Sequence, residues 1–417
     1  MNPDKNEKWG PARKFGILFF SVFFFLQIIQ MIARFLLGNQ NMDAFYYPSF
    51  FIQNHMLRLH DIPKWTHLSS GGADTLDDWV QQLAYILIAF LVAVLVIVLS
   101  RKRKDYSTLY QWTKITVRYF LGSVMLLYGI QKLFLLQMVY PKLSYFYTPL
   151  GDFKPMDLAW TFVGYSAAYQ FIGGLLEVTA AVLIFFRRTL VLGLLIFLGI
   201  MSNVLMLNYL YGVAVKTWST TLVLMGLYLL WEHLPKLIDF LLLQKSAKLQ
   251  IPALQFVTPW KKKARSILKY GYISLVILWL IIGQVQLSSR LNSHSPIAIE
   301  GAFDVHVFET NGMENANYFD KQRWNQVVVN RSPDGLSSSG HVMLGTTRRE
   351  LATFKMDSLN QVSVRFDRDS SMVFKGQHRL SGDSVIWTGQ VGNDSIRMVL
   401  KKNERELVLR ESPFTLI

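Results

Sequence analysis

Arg118 and Lys132 stand near the two ends of "RYFLGSVMLLYGIQKLF", residues 118–134, and Glu177 stands inside "GGLLEVTAAVLIFF". Charges in runs this apolar are tolerated when they face protein or one another, so each marks a position with a task. On a helix advancing 100° per residue, Arg118, Gly122, Met125, Gly129 and Lys132 fall in a stripe about 80° wide. Gly122 and Gly129, with Gly173 on the following segment, are the expected packing glycines, where a second backbone comes close. Glu177 lies ten residues before Arg187, about 15 Å from that end of its helix. The expectation is an intramembrane Arg118–Glu177 ion pair. Two readings compete with it: Arg118 snorkelling to the headgroups, or a direct part in handling a ligand or proton.

A second polar group gathers at the opposite depth. Lys132, Tyr165, Tyr169, Asn203, Asn208 and Lys216 all fall near the ends of apolar segments, where two cations, amides and phenols could cradle an anionic or quinone-like head group. The competing reading is an ordinary interface, with lysine snorkelling and tyrosine anchoring. In the first outer loop His55, His60 and His67, with Asp61 among them, are of the types that bind zinc or copper, but their spacings of five and seven fit no standard metal motif, and the competing reading is ordinary loop histidines. No phosphate loop, dinucleotide fingerprint, nucleophile elbow or HExxH is present. The chain has no cysteine, which removes thiolate and disulfide chemistry.

The elements that must position these residues are membrane helices. Of 417 residues, 51% are hydrophobic, and 43 Lys+Arg face 28 Asp+Glu. With that apolar content the basic excess points to cytoplasmic loops rather than to nucleic acid. Seven segments are long enough to cross about 30 Å of hydrocarbon: 15–37, 79–100, 113–135, 159–186, 189–208, 217–232 and 267–288. The first reads as an uncleaved signal anchor. Alternate loops carry 18 and 5 Lys/Arg, which predicts a cytoplasmic N-terminus and a C-terminal region on the outer side. Residues 236–266 are basic and partly amphipathic, and 267–288 return the chain across the bilayer. From 295 to 417 short alternating runs such as "FDVHVFE", "WNQVVVN" and "SVIWTGQV" predict an all-β domain. The predicted fold class is a polytopic α-helical membrane protein with an extracytoplasmic all-β domain.

The segments "RYFLGSVMLLYGIQKLF", "GGLLEVTAAVLIFFRRTLVLGLL" and "SNVLMLNYLYGVAVKTWSTTLVLMGLYLL" resemble the DoxX-like membrane proteins. The resemblance places the family's R-x(3)-G…G-x-x-K pattern on Arg118, Gly122, Gly129 and Lys132, and its acidic position on Glu177, with Arg188-Thr189 at the following turn. It implies a four-helix membrane module over 113–235, preceded by a two-helix extension over 1–112. It also implies a setting near quinone-coupled or periplasmic redox chemistry, in a bacterial inner membrane with a periplasmic β domain. The added helices, the β domain and the lack of cysteine depart from the family. "EGAFDV", with its G-x-F, and the late arginine in "LVLRESPF" resemble a lipocalin-type barrel, which implies a closed barrel that holds one small apolar ligand or only packs side chains; a plain β-sandwich or open sheet is the alternative.

These readings converge on an accessory or scaffold subunit, docking a protein partner through the β domain and otherwise contacting the bilayer. No cofactor is expected for it, and the balance of signals is against an enzyme. The alternatives are a quinone-linked oxidoreductase subunit, with quinone as cofactor, and a carrier for a small lipid or anion with Glu177 and Arg118 in its path.

Overall fold

Long runs of Leu, Ile, Val and Phe satisfy their backbone polar groups internally only as helices, and all the regular secondary structure described in the first 292 residues is accordingly helical. The computed structural model describes residues 9–37, 43–57, 74–103, 105–246, 258–292, 299–332, 337–346, 348–357, 359–369 and 371–407. Two compact units emerge: 1–133 with 171–280, and 134–170 with 281–417.

The first unit holds α1 (Pro11–Leu37), α2 (Asp43–Phe51), α3 (Leu76–Leu99), α4 (Ser107–Leu133), most of α7 (Ala167–Phe185), α8 (Leu190–Leu210), α9 (Lys216–Leu230), α10 (Leu234–Leu241) and the start of α11 (Pro259–Asn292). Among the described residues six helices are long and apolar enough to cross a membrane: Pro11–Arg34, Leu76–Leu99, Ala167–Phe185, Arg187–Leu210, Lys216–Leu241 and Pro259–Arg290. The protein is a membrane protein by this measure. The seventh expected segment is α4, which has 27 residues but carries Lys114, Arg118 and Lys132. It is sheltered instead: Val117, Leu121, Val124, Met125, Leu126 and Ile130 lie in one core with side chains of α1, α7, α8 and α9. The expected 159–186 span is interrupted at Ser166, which ends α6 (Pro155–Tyr165) with an extended backbone. The expected 217–232 span runs on through a tight turn at Trp231–His233 into α10.

The second unit is a β-barrel with a helical annex. Its strands are β1 (Gly301–Thr310), β2 (Met313–Glu314), β3 (Trp324–Val329), β4 (Ser337–Leu344), β5 (Arg348–Met356), β6 (Gln361–Phe366), β7 (Val373–Ser381), β8 (Ser384–Val391) and β9 (Asp394–Lys402). Apart from the two-residue β2, eight antiparallel strands follow one another and close through β1 on β9, from Phe303↔Lys402 to Thr310↔Ile396. Closure removes the sheet edges. Asn311 and Gly312, with φ of 55° and 79°, make the left-handed turn after β1 that an Asn-Gly pair favours. Gly340 is required by close approach: a Cβ there would stand 1.9 Å from the Val328 carbonyl oxygen.

The barrel interior is filled. Trp387, Phe354 and Phe374 are fully buried, with Trp324 edge-on to Phe366, so side chains occupy the space a lipocalin-type ligand would take. Phe303 of the G-x-F pattern joins this core, while Arg410 of "LVLRESPF" lies outside the described residues. The buried arginine is Arg323 instead. Its guanidinium donates to the carbonyls of Asn315 and Trp324 and to the Asn325 side chain, and stacks 3.9 Å from the Tyr318 ring.

The annex is part of the 134–170 connection. Here α5 (Leu143–Phe146) packs on β1 and β3. The Ser144 N–H donates to Asn330 Oδ1 at 2.8 Å, and Arg349 reaches Thr148 Oγ1 at 2.8 Å. Ala302, Val328 and His341, adjacent in register across the barrel wall, are buried although none belongs to the interior cluster.

Candidate functional site

The crossing of α4 and α7 fixes the site. A Cβ on Gly129 would lie 2.9 Å from the Gly174 carbonyl oxygen, and one on Gly174 would lie 2.8 Å from Lys132 Cβ. The two backbones therefore touch at Gly129 and Gly174, as small residues in membrane helices allow. Gly122 faces the Phe185 ring, whereas Gly173, the expected packing glycine on this helix, only borders the Lys132 stem at 3.8 Å.

This register decides the ion pair. Glu177 bonds Lys132, not Arg118. Antiparallel helices that meet at residues 129 and 178, and at 122 and 185, bring position 118 level with the Arg187 turn, about 16 Å along the axis from Glu177. Lys132 lies only about 3 Å from Glu177 along the axis, and its stem covers that distance. All five residues of the predicted stripe, Arg118, Gly122, Met125, Gly129 and Lys132, are buried. Glu177 Oε2 has no hydrogen-bond partner among the described residues.

One turn before Lys132 stands Tyr128, near enough to Glu177 to feel its charge, and its hydroxyl accepts from Trp218 Nε1 at 2.8 Å. Both line a cavity of about 200 Å³ at this end of the unit. The rest of the lining comes from α1 (Gln27, Gln30, Met31, Arg34), α2 (Tyr46), α3 (Asp78, Gln81, Gln82) and the start of α9 (Val215, Thr217). Gln27, Gln30 and Arg34 are spaced three and four residues apart, as are Asp78, Gln81 and Gln82 around one turn, so each set shares a helix face.

The polar groups compensate one another. Arg34 lies 3.8 Å from Asp78, and Tyr46 bridges them, accepting from the guanidinium and donating to Asp78 Oδ1 at 2.7 Å. Burial drives the Tyr46 phenol well above its ordinary range, so it remains a donor at neutral pH. Thr75 and Asp78 form a capping box that starts α3. Beside it the Asp74 carboxylate accepts the backbone N–H groups of Lys216 and Thr217, at 2.7 and 3.1 Å, which anchors the first turn of α9. Among the described residues two buried atoms are left over, Arg34 Nε as a donor and Gln81 Oε1 as an acceptor. The lining thus carries no net charge and retains unspent hydrogen-bonding capacity of both kinds.

The six residues expected to form an outer pocket are dispersed. Lys132 is committed to Glu177 and Lys216 to Asp74. Asn203 is exposed, while Asn208 is buried with its Nδ2 unsatisfied among the described residues. Tyr165 stacks on Tyr140, and Tyr169 packs edge-on to Phe162, both within the second unit. Helical phase set this outcome, since residues at one depth need not share a face. Of the histidines, His55 lies in the turn Ile52–Met56 with its ring 4.8 Å from Phe51, and His60 and His67 fall outside the described residues. The glutamines of the first and second spans were not singled out from the sequence, although "LQIIQMIAR" displays their common face.

No family model matches the chain, and no solved structure does. Over 118 residues, 28% of this chain, it is 37% identical to the uncharacterised protein YwoB of Bacillus subtilis (strain 168), and the match spans 73% of that protein. Through this stretch the chain belongs to the family of YwoB.

Proposed function

We propose that the protein is an accessory membrane subunit that holds the neutral polar head of a membrane-soluble molecule in the cavity between α1, α2, α3, α4 and α9, with a quinone-type ring as the best-fitting class. The observation that carries this reading is the charge-compensated lining with one donor and one acceptor unspent among the described residues, Arg34 Nε and Gln81 Oε1. A ligand with carbonyl and hydroxyl groups uses both, and Trp218 and Tyr128 offer aromatic surface. An anionic head is less favoured because Asp78 already balances Arg34. The DoxX-like resemblance of the helices agrees with a quinone-linked setting. So does a bacterial inner membrane with the N-terminus cytoplasmic: Lys14 bonds the Arg103 carbonyl and Lys114 bonds Glu232 at one end of the bundle, while Asp74 meets Lys216 at the other.

The test is titration of the purified full chain in detergent with a short-chain quinone, read by tryptophan quenching. Trp218→Phe should remove part of the quench, and Gln30→Leu with Tyr128→Phe should weaken binding about tenfold. Binding that is unchanged in those variants would move the ligand elsewhere. A second reading, partner docking by the barrel, is favoured by Met313 and Phe319, which are 74% and 77% exposed close together in sequence. Its check is a stoichiometric partner in a native-membrane pull-down that Phe319→Ser abolishes.

A further inference from the structure

The end of the helical unit opposite the cavity carries a cluster of cations. Arg118 is only 7% exposed, and its Nε has no hydrogen-bond partner among the described residues. Its guanidinium lies 5.1 Å from the Tyr119 ring. Arg118 and Arg187 line one small cavity of about 40 Å³ together with Lys114 and His233, room for a few atoms of a ligand rather than for a whole molecule. Glu232 also borders it, but that carboxylate is held by Lys114 at 2.7 Å. From α11, Arg265 and Lys269 face the same place one helical turn apart; Lys269 feels Arg118, Arg265 and Arg187, and Arg187 feels Arg118 and Arg265. Aromatic rings pin the arrangement: Lys269 Nζ sits 4.0 Å from the Phe186 ring, and Tyr119 packs edge-on to Tyr272, whose hydroxyl bonds Ser123 at 2.8 Å. Among the described residues, no carboxylate lies within ion-pair distance of Arg118, Arg187 or Lys269.

Arg118, Arg187 and Lys269, held close to one another and to Arg265, repel, and the helix carbonyls around them are already spent on the helices. Such a cluster is stable when an anion completes it. Guanidinium pairs are suited to a tetrahedral oxyanion, because each presents a planar fork of donors.

We propose that Arg118, Arg187, Arg265 and Lys269 form a binding site for the phosphate group of an anionic ligand, with Arg118 at its buried floor. Two sources share that chemistry, the headgroup of an acidic phospholipid and a free phosphate-bearing solute.

The test uses the full chain in detergent, with phosphatidylglycerol or phosphatidylcholine added and the retained lipid measured by native mass spectrometry. Wild type should retain phosphatidylglycerol in preference to phosphatidylcholine. The double variant Arg187→Gln/Lys269→Gln should retain it about tenfold less. The control Lys261→Gln/Lys262→Gln removes the same charge from exposed positions of α11 and should behave as wild type. Competition by millimolar inorganic phosphate assigns the site to free phosphate-bearing solutes, and retention that resists it assigns the site to the lipid. Equal loss in both double variants would reduce the effect to general charge and overturn the site, as would no preference for phosphatidylglycerol together with no binding of inorganic phosphate. Arg118→Gln adds a second readout: it should raise the melting temperature in neutral lipid, where the cluster lacks its anion, and lower it in phosphatidylglycerol.

Discussion

The helical unit and the barrel bury cations in different ways. Lys132 is matched by a carboxylate, Glu177, from the next helix. Arg323, deep in the barrel unit, has no acidic partner among the described residues and is satisfied by carbonyls of Asn315, Trp324, Val305 and His306. The difference follows from the backbone. In an α-helix the carbonyls are consumed by the residue four positions on, so a cation between helices must find a side chain or a ligand. At a barrel rim, loops and a bulged strand leave carbonyls free, and β1 is irregular between Val305 and Val307, next to the guanidinium. Among the described residues Arg118 has neither a carboxylate nor a carbonyl partner, which is the premise of the anion site proposed at its end of the bundle.

Removing Glu177 is the severest way to break this comparison. Glu177→Gln leaves Lys132 buried and uncompensated and should cost about 3–5 kcal/mol of unfolding free energy, whereas Lys132→Met with Glu177→Leu should recover most of it. Detergent-based unfolding measurements check both; additive losses in the double variant would refute the coupling. Arg323→Met should cost the barrel unit roughly 2–4 kcal/mol, because several carbonyls lose their donor at once. If the loss were as small as for a surface arginine, the carbonyl cage would carry no weight.

The barrel also predicts a pH effect that the helices do not share. Burial, with Arg349 nearby, lowers His341 from 6.5 to about 4. Its unfolded form therefore binds a proton first as pH falls, and stability drops between pH 6.5 and about 4, then levels off. The drop should be about 2–3 kcal/mol. His341→Leu should flatten most of it, leaving the smaller slope from His378, which burial also depresses. An unchanged acid transition in His341→Leu would place the proton elsewhere. The smallest expected effect is that of Thr75→Ala, which removes the cap of α3 for about 1 kcal/mol and loosens the wall bearing Asp78. Quinone affinity and melting temperature should fall together in that variant.

The fold was legible where a pattern is local. Apolar length announced the helices, and period-two alternation from Phe303 to Leu400 announced the strands. The charges of α4 were legible as buried for the same reason, since Arg118, Gly122, Gly129 and Lys132 share one phase. Their partners were not. Choosing between Arg118 and Lys132 for Glu177 required the crossing point of α4 and α7, and a single glycine contact, Gly129 on Gly174, sets it. The pocket was misassigned because residues were grouped by depth, and depth alone leaves helical phase undetermined.

The sequence by itself determined that the chain is a membrane protein, which of its faces are apolar, and that a separate β domain follows the last span, because hydrophobic transfer and strand periodicity act on neighbouring residues. Only the tertiary structure decided that the barrel closes through β1 on β9, that Asp74 anchors the start of α9, and that glutamines, an arginine and an aspartate from distant segments enclose one cavity. Those outcomes depend on contacts between residues far apart in sequence, from 86 positions for Thr310 and Ile396 to 142 for Asp74 and Lys216, and no local pattern encodes the register in which two packed backbones meet.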